Sequence, residues 1–267
     1  MRRGSPKETD VRSAGGDVVY GDLLDHASLE AACDGIDVIV ATATAIASKG
    51  SNNSLANVDH DGYQRLITIA EQAGIKKFVH VSVSPNLTEN CQLVGHKRAT
   101  ERALRASGLR YCILQPSCFM EIWLGAPVGW FPDQGKAQVF GTGEGPISYI
   151  SRDDVGSWAV VAIKESRTDN QVIPLGGPRA VSPNEAVRIF EQAIGKPLKV
   201  TRVPGFVPKM AGAVLKPFNP KMASLMALGA QTLGGDVVDM SKARSLAQVP
   251  ETSIEDYARK VAANLTA

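Results

Sequence analysis

The side chains in this sequence best suited to chemistry stand at the ends of apolar runs. Ser82 and Ser84 close the run KKFVHVSV. Serine hydroxyls at a strand end can donate to a substrate carbonyl, and can equally satisfy loose strand-end backbone. Lys97 lies in LVGHKRATERALRASG, early in a predicted helix. A lysine there can hold the hydroxyls of a nucleotide ribose; the alternative is a solvated helix lysine beside Lys76, Lys77 and Arg98. Asp22 follows Gly21 after another short run, where its carboxylate can accept from an adenine amino group or cap the turn. The small residues Thr42-Ala43-Thr44-Ala45 let a ribose or phosphate come close, or simply pack tightly. His26, His60, His80 and His96 share no metal-ligand spacing, and His80, alternating into an apolar run, reads as a core histidine. Asp153-Asp154 precede a helix, where they serve its N-terminus rather than acid–base work. No Ser-His-Asp order, phosphate loop or metal motif is found.

These groups need a scaffold, and residues 76–119 supply its centre. Phe78, Val79, Val81 and Val83 form the nearly continuous apolar run of a parallel strand covered on both faces. A helix with the small-residue stripe Ala99, Ala103, Leu104 and Ala106 follows, then Gly108 and a second strand over 109–114. This strand–helix–strand unit predicts a right-handed crossover, with ligands bound beyond the carboxyl ends of the strands. Ser82, Ser84 and residues 116–119 then share one rim.

Upstream, the pattern predicts a polar, ragged start, strands over 17–20 and 36–41, a helix from the cap Asp25 to Cys33, a mobile loop over 48–57 and a helix over 59–73. Downstream, residues 121–151 mix Gly and Pro with Trp123, Trp130, Phe131 and Phe140, and read as a binding loop or pocket wall. A helix over 153–164 and a strand over 171–175 come next. Ser182-Pro183-Asn184-Glu185 is a capping box for a helix ending at Gly195. A strand over 198–203, short packed helices over 206–233 and a last helix capped by Thr252 close the chain. The expectation is an α/β doubly wound parallel sheet over 1–175, with a small, mostly helical lobe over 176–267.

The chain has 267 residues, with 29 basic against 27 acidic side chains and a formal charge of +2. That balance, without a Lys/Arg run, argues against nucleic acid or an anionic membrane as the main partner. Cys33, Cys91, Cys112 and Cys118 show no pairing or zinc pattern, which suits free thiols in a reducing cytoplasm. No apolar stretch reaches transmembrane length and no signal-peptide core opens the chain, so a cytoplasmic protein without a membrane span is expected.

Taken together, VVYGDLLDHASLEAACDGIDVIV, NVDHDGYQRLITIAEQAGIKKFVHVSV, GHKRATERALRASGLRYCILQPSCFME and GEGPISYISRDDVGSWAV resemble the NmrA-like, atypical branch of the extended short-chain dehydrogenase/reductase family. The resemblance implies a Rossmann fold and a nicotinamide dinucleotide, NADP(H) with NAD as the alternative. By it, Arg2 and Arg3 grip a 2′-phosphate, Asp22 meets adenine, and Thr42 and Ala43 line the ribose-phosphate path. Lys97 binds the nicotinamide ribose, with Ser82 beside it on the rim, while Pro116, Cys118 and Phe119 flank the ring. Lys97 and Ser84 then polarise a small carbonyl, enone or quinone that accepts hydride.

Two departures matter. Active relatives carry a tyrosine four residues before the lysine, and here Leu93 stands there, which cannot carry a proton. Relatives of the isoflavone-reductase type work with the lysine alone. The family's opening strand, glycine-rich turn and helix have no counterpart before residue 17, which implies a truncated gene model. The resemblance therefore also admits a non-catalytic NADP(H)-sensing regulator or assembly factor with a protein partner, or a remnant that binds no cofactor.

Overall fold

The computed structural model describes residues 1–46, 48 and 52–266. In chain order it forms α1 (Glu8–Ser13), α2 (His26–Cys33), β1 (Val38–Ala41), a π-helix (Ala56–Gly62), α3 (Tyr63–Gln72), β2 (Lys77–Val81), α4 (Gln92–Ala106) and β3 (Arg110–Pro116). Then come α5 (Met120–Trp123), β4 (Lys136–Phe140), α6 (Arg152–Lys164), β5 (Gln171–Leu175), α7 (Pro183–Ile194) and β6 (Lys199–Val203). The chain closes with α8 (Phe206–Leu215), α9 (Pro220–Gln231), α10 (Ser241–Leu246) and α11 (Ile254–Thr266).

The apolar runs become a parallel sheet in the order β1-β2-β3-β5. Val79 pairs with Val40 on one side and Cys112 on the other, and Leu114 pairs with Ile173. Because successive side chains point to opposite faces, Phe78 and Ile113 pack with Leu29, Tyr63, Ile67 and Leu104, while Val79, Cys112 and Leu114 pack with Trp158, Ile173 and Met240. Helices on both faces explain why these strands are continuously apolar, and the fold is the α/β Rossmann type. A third cluster joins Met120, Trp130, Val139 and Tyr149 to Val187, Phe190 and Ile254 under α7 and α11.

Several local expectations hold for identifiable reasons. Ser182 Oγ accepts from Glu185 N at 3.1 Å, and Gly195 ends α7 at φ 74°. All four cysteines are buried free thiols. Others are corrected. Residues 17–20 form no strand: the N-terminal amine donates to Val19 O and Gly21 N donates to Met1 O at 3.0 Å, so this segment closes on residue 1 instead of joining the sheet. The ragged start holds α1, laced by Lys7–Asp10 and Arg12–Glu8 pairs. Thr252 does not cap α11; its hydroxyl and amide both donate to Asp154, and Ser253 accepts from Asp256 N. Of the loop expected over 48–57, residues 49–51 lie outside the described residues.

The aromatic stretch 121–151 lines a small space and carries regular structure of its own. It contains β4, which pairs in parallel with β6, a partner some sixty residues on. Trp130 is 3 % exposed and donates Nε1–H to Gln138 O at 2.7 Å. The space lined there by Trp123, Trp130 and Tyr149 is about 40 Å³, enough for a few waters and far too small for a nucleotide.

Candidate functional site

Because β1, β2 and β3 run parallel, their carboxyl ends deliver Thr42–Thr44, Ser82–Ser84 and Pro116–Phe119 to one rim. Lys97 reaches this rim from α4. Its ammonium donates to Val81 O at 3.2 Å and lies 5.1 Å from the centre of the Tyr63 ring, within cation–π range. Tyr63 in turn donates its hydroxyl to Ala43 O at 2.7 Å, so Lys97 and Tyr63 bridge the tips of β2 and β1. Behind them the π-helix carries Asp59, fully buried, whose Oδ2 accepts from Ala45 N at 2.8 Å. Its Oδ1 has no hydrogen-bond partner among the described residues. Burial pulls the Lys97 pKa down, and the Asp59 carboxylate offsets part of that shift.

This arrangement answers whether the residues fit a nicotinamide nucleotide. A lysine with three donors and one internal acceptor, 5% exposed at the rim, can donate to a vicinal diol, and a ribose is one. Asp59, enclosed behind it, favours the charged ammonium and does not itself reach the rim. The nicotinamide-ribose half of the group therefore fits Lys97, with Asp59 as its enclosed counter-charge. When bound, such a group supplies hydride chemistry; this chain contributes the grip on the sugar and a low-polarity floor. Among the described residues no glycine-rich turn runs from a strand into a helix N-terminus beneath the β1 tip, so no pyrophosphate contact is derived.

His80 forms part of that floor. It is fully buried, its ring is 5.1 Å from that of Tyr63, and neither nitrogen has a hydrogen-bond partner. Burial first, and the Lys97 charge second, hold its pKa well below 6.5. The folded state keeps His80 neutral while the unfolded chain takes up a proton below pH 6.5. Its contribution to stability is thus complete above 6.5 and is lost as pH falls toward the depressed value. We expect stability to drop by as much as about 1.4 kcal/mol per pH unit below 6.5, and His80→Phe to remove one proton's worth of that slope in urea melts at stepped pH.

The serines are engaged elsewhere. Ser82 donates to Glu101 Oε1 at 2.5 Å, an oxygen that also accepts from Gln115 Nε2 and Arg98. Ser84 donates to Asp236 Oδ1 at 2.6 Å; the same buried carboxylate accepts from Asn86 Nδ2 at 2.8 Å and Ser117 Oγ at 2.7 Å. Asp236 follows α9, so it fastens the C-terminal segment to the tips of β2 and β3. The Ser84 proton points into that knot and not toward an acceptor on the rim. Leu93 is 6 % exposed and packs with Ala45, Leu55, Val58 and Leu228, an apolar plug where a proton donor would stand.

The remaining expected residues divide. Arg2 forms a two-point ion pair with Asp22, at 2.8 and 3.0 Å, and Asp22 Oδ1 also accepts from Leu24 N, so the turn-capping role is occupied. Arg3 stacks 4.4 Å over Tyr20. Thr42 and Ala43 are exposed at the β1 tip, and Pro116 is buried at the end of β3. Cys118 turns away from the rim into the cluster around Tyr149, and burial pushes its thiol pKa well up. Phe119 is half-buried against the Ile150 side of the sheet.

Sequence reasoning missed Asp59, Tyr63 and Asp236. NVDHDGY reads as an ordinary helix start, and nothing in GGDVVD marks a carboxylate that gathers donors from 119 to 152 residues away. A groove of about 970 Å³ opens beside the start of α4, lined by Cys91, His96, Lys209, Lys216 and Gln231. His96 faces His60 at 5.2 Å, and burial lowers its pKa.

With this geometry in hand, comparison with known proteins is informative. A family model described as NAD(P)H-binding matches residues 1–166. The photosystem II assembly factor Ycf39 of Synechocystis is 30% identical over 200 residues, covering 74% of this chain and 60% of that protein. A phenylcoumaran benzylic ether reductase of Ginkgo biloba is 27% identical over 203 residues, covering 72% and 63%. The chain thus spans about 60% of the length of these curated relatives. An Escherichia coli NADPH-dependent quinone oxidoreductase, solved with NADPH, superposes with a TM-score of 0.71 at 21% identity, covering 97% of this chain and 88% of that one. At that identity the likeness is one of fold.

Proposed function

The chain belongs to the NAD(P)H-binding family, and from that premise we propose that it binds NADP(H) through Lys97 without reducing a carbonyl. One observation carries this reading. Where a reductase needs a proton donor, the rim offers Leu93, an enclosed hydrocarbon, and Ser84, whose proton is held by Asp236. The resemblance to an assembly factor supports a role that reads cofactor binding rather than turnover.

Purified full chain is expected to quench and retain NADPH in a fluorescence titration, yet not to oxidise it with a quinone or an enone. Turnover with either acceptor, lost in Lys97→Met, refutes the proposal and selects the second reading. That reading is a reductase resting on the lysine alone; it is favoured by the free donors of Lys97 and by the reductases among the relatives. Leu93→Tyr gives a companion prediction. The hydroxyl would be shut in among Ala45, Leu55 and Val58, so it should cost about 1–3 kcal/mol in a urea melt and confer no turnover.

A further inference from the structure

The net charge of +2 hides a strong segregation. Residues 192–235 hold Lys196, Lys199, Arg202, Lys209, Lys216 and Lys221 and no Asp or Glu, leaving the rest of the chain net acidic. Within this stretch α8 and α9 form a helical hairpin, joined by Lys216-Pro217-Phe218-Asn219. Its seam is made of small residues: a Cβ at Gly212 would sit 3.6 Å from Ala227 Cβ and 3.4 Å from Ala223 O. α9 is docked by Leu228 against Leu93 and Val94 and by Gly229 against Trp123. Since the seam takes only small side chains, the bulky ones of α8 are left outside.

They are left in water. Phe206, Met210 and Val214, at i, i+4 and i+8 on one face of α8, are 61, 60 and 62% exposed, and Phe218 at the hairpin tip is 83% exposed. Lys209 and Lys216, both exposed, stand together along one edge of this ridge, where α8 borders the groove that also holds Glu89, and have no hydrogen-bond or ion-pair partner among the described residues. No helix of the described residues is long and apolar enough to cross a membrane, so any bilayer contact is from one side.

We propose that the α8–α9 hairpin is a docking element for an anionic lipid surface, its Phe206–Met210–Val214–Phe218 ridge entering the interface while Lys209 and Lys216 meet headgroup phosphates. Charge complementarity commits the surface to this occupant: a cationic, acid-free apolar ridge is the composition of interfacial helices. Lysine is depleted in protein–protein interfaces, whereas its flexible stem lets an ammonium reach headgroups while the neighbouring apolar groups sink. The hairpin tip is aromatic and 83% exposed at Phe218, a protruding group that a fluid phase accommodates without a matching pocket. The inference is independent of the cofactor reading.

The test is sedimentation of the full chain with vesicles of phosphatidylcholine alone or mixed with phosphatidylglycerol. The expected result is binding to the mixed vesicles, about tenfold or more weaker on phosphatidylcholine and weakened by added salt. Phe206→Ser with Phe218→Ser should lower partition about tenfold, and Lys209→Glu or Lys216→Glu about fivefold or more each, with thermal melting unchanged because all four side chains are exposed. Absence of binding to the mixed vesicles overturns the proposal. So does salt-sensitive binding that the serine variants retain, or concentration-dependent self-association that the same variants abolish, which would make a second copy the occupant.

Discussion

Asp236→Ala should be among the most damaging single substitutions in this chain. It removes the carboxylate acceptor of Ser84, Asn86 and Ser117 together, leaving the Ser84 hydroxyl, at 1% exposure, without its partner and the Ser117 hydroxyl, at 5%, with only its long 3.4 Å bond to Asp236 O. An orphaned buried donor costs about 1–3 kcal/mol, so a loss of about 3–5 kcal/mol is expected in urea or thermal unfolding. The backbone around Asp236 is pinned by Ser148 N to Asp236 O and Asp236 N to Pro146 O, which limits relaxation around the orphaned Ser84 hydroxyl. Non-additivity gives the sharper check. Ser84→Ala and Ser117→Ala should each cost about 1 kcal/mol in the native background and almost nothing once Asp236 is alanine. A loss under about 1 kcal/mol for Asp236→Ala would show that the C-terminal segment is held to the rim by apolar packing alone.

Lys97→Met is the second large effect, and it has two readouts. If Lys97 holds the nicotinamide ribose, its charge-assisted hydrogen bonds are worth about 1.5–3 kcal/mol each, and NADPH affinity should fall about tenfold to a hundredfold. The pH dependence of stability gives a readout that needs no ligand. Burial depresses the folded pKa of Lys97 below 10.5, so the unfolded chain binds the proton more tightly. Stability should therefore rise with pH between the depressed value and 10.5, with a slope up to about 1.4 kcal/mol per unit, and the methionine variant should lack that rise. Asp59→Asn removes the attraction that partly restores the lysine, so the window should extend to lower pH. An unchanged profile in both variants would mean that Lys97 is solvated rather than buried.

The two variants also separate the halves of the site. Asp236 acts on how the rim is assembled, and its loss should show first in stability. Lys97 acts on what the rim can hold, and its loss should show first in affinity. A chain that bound NADPH equally well with methionine at 97 would keep the fold assignment and lose the binding site proposed here.

The sequence by itself determined the strands of the sheet's interior, because a parallel strand covered on both faces reads as a nearly continuous apolar run, and 77–81 and 110–116 carry such runs in Phe78-Val79 and Cys112-Ile113-Leu114. It also determined the helix ends at Ser182 and Gly195, where local side-chain chemistry suffices, and the place of Lys97 at the carboxyl rim, which follows from the strand–helix–strand order. What only the tertiary structure decided are partnerships over long sequence separations. Asp236 with Ser84, Thr252 with Asp154, and β4 with β6 leave no periodic trace, since a hydrogen bond across 98 or 152 residues imposes nothing on its neighbours in the chain. The strand expected over 17–20 failed for the complementary reason: local apolar character proposes a strand, and here the backbone of the segment pairs with residue 1 instead of with the sheet. The exposed ridge on α8 belongs to the same class, for its hydrophobic residues look like core until the small-residue seam with α9 turns them outward.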